Sequence, residues 1–205
     1  MRVRILAVVG LLLTALLCSC APEADEPGDG ESGGPSASNI DVDTPELRAL
    51  KKRAGIEPCV PGPATDGGLP SLTLACLGGG PAVDLASLEG PLVLNYWYAA
   101  CGPCRKEMPA VQDFYERYGD RVPVIGIDIM DVMPKAALEL AEQTGARYPQ
   151  LADPGGDLQG TDLRAIGYPT FAFLDADGET TMVGGGIESA EELVELVEEH
   201  LGIAL

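Results

Sequence analysis

Two cysteines three residues apart, Cys101 and Cys104, stand where an apolar run gives way to a helical pattern. The run is Pro91-Leu92-Val93-Leu94-Asn95-Tyr96-Trp97, and Arg105-Lys106-Glu107-Met108-Pro109 follows the second cysteine. A buried strand that turns straight into a helix puts both cysteines in the helix's first turn. There the peptide dipole and the free N–H groups stabilise a thiolate. The chemistry this setting implies is dithiol–disulfide exchange. A Cys-x-x-Cys pair also serves zinc, but no second close Cys or His pair is present to complete four ligands.

The N-terminus bears on where such chemistry takes place. Arg2 and Arg4 precede an apolar stretch, residues 5–17, broken only by Gly10 and Thr14. A basic start and an apolar core this short read as a secretory signal rather than a membrane span. The stretch ends in Leu17-Cys18-Ser19-Cys20, which resembles a bacterial lipobox. Cys20 is the expected lipidated residue, because Cys18 would have the large Leu17 before the cleavage point. The alternative is an ordinary signal peptide with incidental cysteines. Residues 21–39 contain no Val, Ile, Leu, Met or aromatic side chain. Such a Pro/Gly/Ser-rich acidic segment buries too little to fold and reads as a tether. The expected organisation is a signal over residues 1–19, a lipidated N-terminus and tether over 20–55, and one folded domain over 56–205. Within the tether, Thr44 and Pro45 open a short helix that ends near Gly55.

The chain has 13 basic and 32 acidic residues, a formal charge of −19, and losing the signal removes two arginines and no acid. That balance excludes nucleic acid and adhesion to anionic lipid through protein charge. The single histidine, His200, falls near the end of the last helix, so a multi-histidine metal site is excluded.

Periodicity gives a coarse element order. Residues 69–75 and 83–87 form an N-terminal hairpin across a Gly-rich turn. Residues 91–98 and 122–127 are buried strands. Residues 102–118 and 134–144 are helices, the first carrying Pro109, where a kink is expected. Residues 148–151 are a short extended piece and 157–166 a helical stretch. Residues 170–174 and 179–183 pair across Asp177-Gly178. Ser189-Ala190-Glu191-Glu192 is a capping box opening the final helix.

YWYAACGPCRKEMP (residues 96–109) followed by GYPTFAFLDADG (residues 167–178), a Gly-rich segment and a last helix resembles the TlpA/ResA-type family of extracytoplasmic thioredoxin-like proteins. The resemblance covers roughly residues 56–205. It implies an α/β, thioredoxin-like fold: a central mixed β-sheet flanked by helices, with an N-terminal β-hairpin extension and a central insertion. It also implies roles. Cys101 is the attacking thiolate and Cys104 the resolving thiol. Gly102 and Pro103 shape the turn between them, and Trp97 packs beneath. Pro169 is expected to be a cis proline facing the cysteines, leaving the Tyr168 backbone free to pair with an incoming chain. Glu107, three residues after Cys104, is expected to tune the cysteines and carry protons. Two positions depart from the pattern. Asn95 stands where thioredoxin has a buried acid. Ala99-Ala100 stands where the family has an aromatic residue, which predicts a less bulky, less apolar surface around the site.

Cys59 and Cys76 bracket a Pro/Gly-rich loop. Outside the membrane such a pair is oxidised, and a bridge closing this loop contributes about 3 kcal/mol in the loop-entropy picture. It reads as a structural disulfide. The alternative is a second redox pair, against which stands the lack of an electropositive helix start.

The expected activity is that of a thiol–disulfide oxidoreductase reducing protein disulfides through Cys101 and Cys104, with no cofactor beyond that pair and no metal. Family resemblance points to apocytochrome c during its maturation. The implied partners are extracytoplasmic protein thiols and disulfides, a membrane thiol electron donor, and the membrane itself through a lipid anchor on the outer face of the bacterial cytoplasmic membrane. The chain is expected to act as a monomer. Alternatives are a disulfide oxidase or isomerase using the same residues, or a metallochaperone-like binding module. Sco-like copper proteins need a longer cysteine spacing and a distal His. A peroxidase needs a threonine where Tyr98 stands.

Overall fold

The computed structural model describes residues 40–205. The expected signal, the lipobox at Cys20 and most of the tether lie outside the described residues. Helix α1 (Pro45–Ala54) is capped by Thr44, whose side chain accepts from the Leu47 N–H, and stops at Gly55 in the left-handed region. A hairpin of β1 (Thr73–Cys76) and β2 (Val83–Asp84) follows. The body then runs β3 (Leu92–Trp97), α2 (Gly102–Tyr118), β4 (Val124–Ile129), α3 (Pro134–Thr144), β5 (Gln150–Asp153), β6 (Thr170–Leu174), β7 (Thr180–Gly184) and α4 (Ala190–Leu201).

The strands form one mixed sheet in the order β2-β1-β5-β4-β3-β6-β7. β3, β4 and β5 are parallel, and β1 and β6 join antiparallel on either side. Strand β3 is buried on both faces, so its six residues divide between two cores. Val93 and Trp97 face a core built with Leu47 and Leu50 of α1, Met108, Val111 and Phe114 of α2, Leu138 of α3 and Leu193 of α4. Leu92, Leu94 and Tyr96 face a second core closed by irregular segments carrying Leu69, Leu88, Leu158 and Leu163. The mixed sheet with its helices and added hairpin is the thioredoxin-like fold.

Four readings change. The folded body begins before residue 56, because α1 buries Leu47, Leu50 and Ala54 in the main core and ties Lys135 of α3 to Glu46. The helix expected over 157–166 is a single 3-10 turn, Asp157–Gly160. The Asp153 carboxylate takes the Asp157 and Leu158 N–H groups at 2.8 and 3.0 Å, and Gly156 enters the turn at a φ of 73°. Side-chain capping therefore replaces helix propagation. Strand β4 starts two residues late, since Pro123 has no N–H for the ladder. At α4, Ser189 caps the Glu192 N–H, but Glu192 reaches back to the Glu188 N–H rather than to Ser189.

Candidate active site

Cys101 is the N-cap of α2, and its sulfur accepts the Cys104 N–H at 3.1 Å. The two form a disulfide. Cys101 keeps 3% of its surface exposed and Cys104 none, so an incoming thiolate meets Cys101 first. Gly102 and Pro103 open the helix on the exposed side. The first turn has no acidic residue, so nothing there offsets the dipole that would hold a Cys101 thiolate.

Trp97 is fully buried under the turn, and its indole N–H donates to Gln150 Oε1 at 2.9 Å. The Gln150 side chain reaches across β4 over Gly126, which pairs with Asn95 on one side and Gln150 on the other. A methyl group at Gly126 would overlap the Gln150 amide.

Glu107 is 1% exposed. Its Oε1 accepts from Asn95 Nδ2 at 2.8 Å, and Asn95 Oδ1 in turn accepts from the Tyr148 hydroxyl at 3.1 Å. The other oxygen, Oε2, has no hydrogen-bond partner among the described residues. Burial pushes the carboxyl up to about 7, against the opposing pull of Asn95 and the nearby Ile187 N–H. A side chain at Gly186 would meet both Glu107 Oε2 (3.4 Å) and the Pro169 ring (3.3 Å). Gly186 therefore keeps open a small space shared by the carboxyl and the proline. A buried acid with one free oxygen and a pKa near neutrality can take up and return protons.

The Tyr168–Pro169 bond is cis. Pairing of Tyr96 with Thr170 brings Pro169 to the end of β3 that feeds Cys101. Tyr168 packs edge-on against Tyr98, with ring centroids 5.6 Å apart. The structure thus brings Trp97, Cys101, Gly102, Pro103, Cys104, Glu107, Tyr168 and Pro169 to one end of the parallel strands. Cys59 and Cys76 are bonded to each other elsewhere, beside the first residues of β5.

Sequence reasoning missed several residues. Asp131 holds the loop before the cysteines, accepting the Ala99 N–H at 2.7 Å and the Met133 N–H at 2.8 Å. An Asp three residues before a helix-opening proline was the available signal. Asp128, opposite Trp97, is buried, and desolvation and then the Asp131 charge push its carboxyl well above the usual carboxylate range. The surface around the site is more apolar than Ala99-Ala100 predicts, because Met130, Val132 and Met133 are exposed on the adjoining β4–α3 loop. Among the described residues no group of three or more His, Cys, Asp or Glu side chains is placed to hold a metal ion.

Comparison with known proteins follows the same outline. The AhpC/TSA family model matches residues 67–181. The thiol-disulfide oxidoreductase ResA of Bacillus thuringiensis subsp. konkukian is 31% identical over 121 residues, 58% of this chain and 69% of that protein. Sporulation thiol-disulfide oxidoreductase A of Bacillus subtilis is 25% identical over 123 residues, 58% of this chain and 74% of that protein. Among solved structures, a secreted Mycobacterium tuberculosis disulfide oxidoreductase superposes with a TM-score of 0.53 at 26% identity, covering 63% of this chain and 96% of that one. These likenesses carry the reading of the Cys101–Cys104 bond as a redox-active disulfide.

Proposed function

The chain belongs to the AhpC/TSA family, among its ResA-type thiol–disulfide oxidoreductases, and from that premise we propose that it is a lipid-anchored reductase of extracytoplasmic protein disulfides. The observation that carries the exchange chemistry is Cys101 at the start of α2, its sulfur held by a backbone N–H and Cys104 buried one turn inside. In the reduced protein the Cys101 thiolate attacks a substrate disulfide and forms a mixed disulfide. Cys104 then attacks Cys101, releasing the substrate thiol and leaving the pair oxidised. Glu107 takes the proton that Cys104 must lose, and its free Oε2 and raised pKa support that role.

Substrate orientation falls to the segment opposite. The Tyr168 backbone N–H and C=O make no backbone hydrogen bond among the described residues, so an extended peptide can pair there beside Pro169. The exposed Met130, Val132 and Met133 give it an apolar rim to lie on. Trp97, Gly102 and Pro103 support the turn, and the Cys59–Cys76 bridge ties the loop before β1 to the sheet. Cys20 carries the lipid, and the acidic tether holds the domain off the outer face of the bacterial cytoplasmic membrane. Electrons reach Cys101–Cys104 from a membrane thiol donor, and the protein acts as a monomer. The Gly-Pro dipeptide between the cysteines and the likeness to ResA support the reducing direction. Apocytochrome c, with its Cys-x-x-Cys haem site, is the substrate that the same resemblance favours.

The test incubates the reduced full chain with an oxidised Cys-x-x-Cys-His peptide, and separately the oxidised chain with the reduced peptide. Reduction of the peptide, with matching oxidation of Cys101 and Cys104, is expected. Net oxidation of the peptide in the reverse mixture would make the protein a disulfide donor.

A further inference from the structure

The Cys59–Cys76 bridge has neighbours that a purely structural disulfide does not need. Lys51 is 8% exposed, and its ammonium lies 2.8 Å from Cys76 Sγ and 2.8 Å from the Gly79 carbonyl oxygen. A disulfide sulfur is a poor acceptor for a buried ammonium, whereas a thiolate there would be an ion-pair partner. Cys59 Sγ lies 3.2 Å from the Gln150 carbonyl oxygen. That oxygen is placed to accept from a Cys59 thiol, a donor the oxidised state lacks. Both sulfurs are therefore matched to the products of reduction: a thiolate at Cys76 and a thiol at Cys59. The charge that the sequence did not reveal comes from α1, which is remote in sequence from both cysteines.

The surroundings also offer a route. Cys59, Val60, Pro61, Pro63, Pro91 and Tyr115 help line a cavity of about 600 Å³. Cys59 is 2% exposed, so attack from this cavity needs the irregular segment around Val60 to shift. Backbone pairing there is sparse: Gly62 and Ala64 bond to Ser87, and Gly67 to Ala86. The family match starts at residue 67, so Lys51 and Cys59 lie outside it.

We propose that Cys59–Cys76 is a second redox-active disulfide, reduced by a dithiol that attacks Cys59 and expels Cys76 as a thiolate held by Lys51. In the first step the incoming thiolate bonds to Cys59 Sγ, and the Cys59–Cys76 bond breaks with its electron pair on Cys76. In the second, the other thiol of the dithiol, as its thiolate, displaces Cys59. The dithiol leaves as a disulfide and Cys59 takes up a proton, so two electrons have passed to the bridge. Burial lowers the Lys51 pKa while Asp43 raises it, so the ammonium gains from a thiolate partner.

The test equilibrates the full chain in dithiothreitol redox buffers and alkylates the free thiols. Mass spectrometry then reads the Cys59 and Cys76 peptides separately from the Cys101/Cys104 peptide, so failure of this proposal and failure of the Cys101–Cys104 reading are distinguishable. Wild-type Cys59–Cys76 is expected to be reduced at a dithiothreitol dithiol-to-disulfide ratio that leaves inert structural bridges oxidised. Lys51→Met is expected to favour the oxidised bridge about tenfold, a shift of about 30 mV. Lys51→Arg keeps the charge and restores most of that. In the reduced wild type, Cys76 alkylation is expected to persist to a lower pH than Cys59 alkylation, a readout that does not depend on how well any variant folds. A bridge still oxidised at that ratio overturns the proposal. So does a Lys51→Met protein with an unchanged equilibrium, or a Cys76 that titrates like Cys59.

Discussion

The two disulfides meet their surroundings through opposite charges. At Cys101–Cys104 the ionisable neighbour is an acid, Glu107, one helical turn beyond Cys104. At Cys59–Cys76 it is a base, Lys51, in contact with Cys76. The first pair sits at a helix start, where the Cys104 N–H and the dipole already favour a thiolate, so a carboxyl can be added for proton transfer. The second pair has no helix start, and a point charge takes that place. Gln150 touches both regions: its side chain holds Trp97 beneath Cys101, and its carbonyl oxygen lies against Cys59. One bond type is thus tuned by two different physical means within one sheet.

The largest expected contrast is in exchange activity. Cys101→Ser drops reduction of a protein disulfide to the uncatalysed background. The double variant Cys59→Ala/Cys76→Ala leaves it near wild type, as turnover with an oxidised peptide would show. Stability reverses the ranking. The bridge spanning 17 residues contributes about 3 kcal/mol, against about 1.5 kcal/mol for the pair three apart, in the loop-entropy picture. Denaturant titration of the two double-alanine variants measures that gap, and equal losses would break the comparison.

Glu107 sharpens it through pH. Its folded pKa of about 7 lies above the ordinary 4.5, so the folded state binds the proton more tightly. The resulting stability is full below about 4.5 and is lost as pH rises through about 7, at most roughly 3 kcal/mol across the window. Glu107→Gln should flatten that dependence and remove an inflection near pH 7 from the exchange rate. Thermal unfolding and stopped-flow exchange across pH 4–8 check the two parts. Gly126→Ala crowds the Gln150 amide and costs about 2 kcal/mol. Because Gln150 touches both regions, alkylation rates at both cysteine pairs should change together.

The regions differ in how local their sequence signals are. The strand into Cys101, the Thr44 and Ser189 caps and the Asp177-Gly178 turn are encoded within a few residues, and they stand as read. The 157–166 stretch has a helical pattern, but the Asp153 carboxylate captures its first N–H groups. Helix α1 looked like part of a tether because its partners in α3 are remote in sequence. Glu107 could be placed from its spacing to Cys104. Its link to Asn95 and Tyr148 needed the sheet register, as did the fit of Gln150 over Gly126. Lys51 was hidden for the same reason: nothing local ties residue 51 to residue 76.

The proposed function requires that Cys101 and Cys104 form a reducing exchange pair. The most direct test is their equilibrium reduction potential in the full chain, read from the alkylated Cys101/Cys104 peptide in dithiothreitol buffers. A value below about −250 mV is expected for a reductase, while a value above about −150 mV would make the pair a disulfide donor and contradict the proposal.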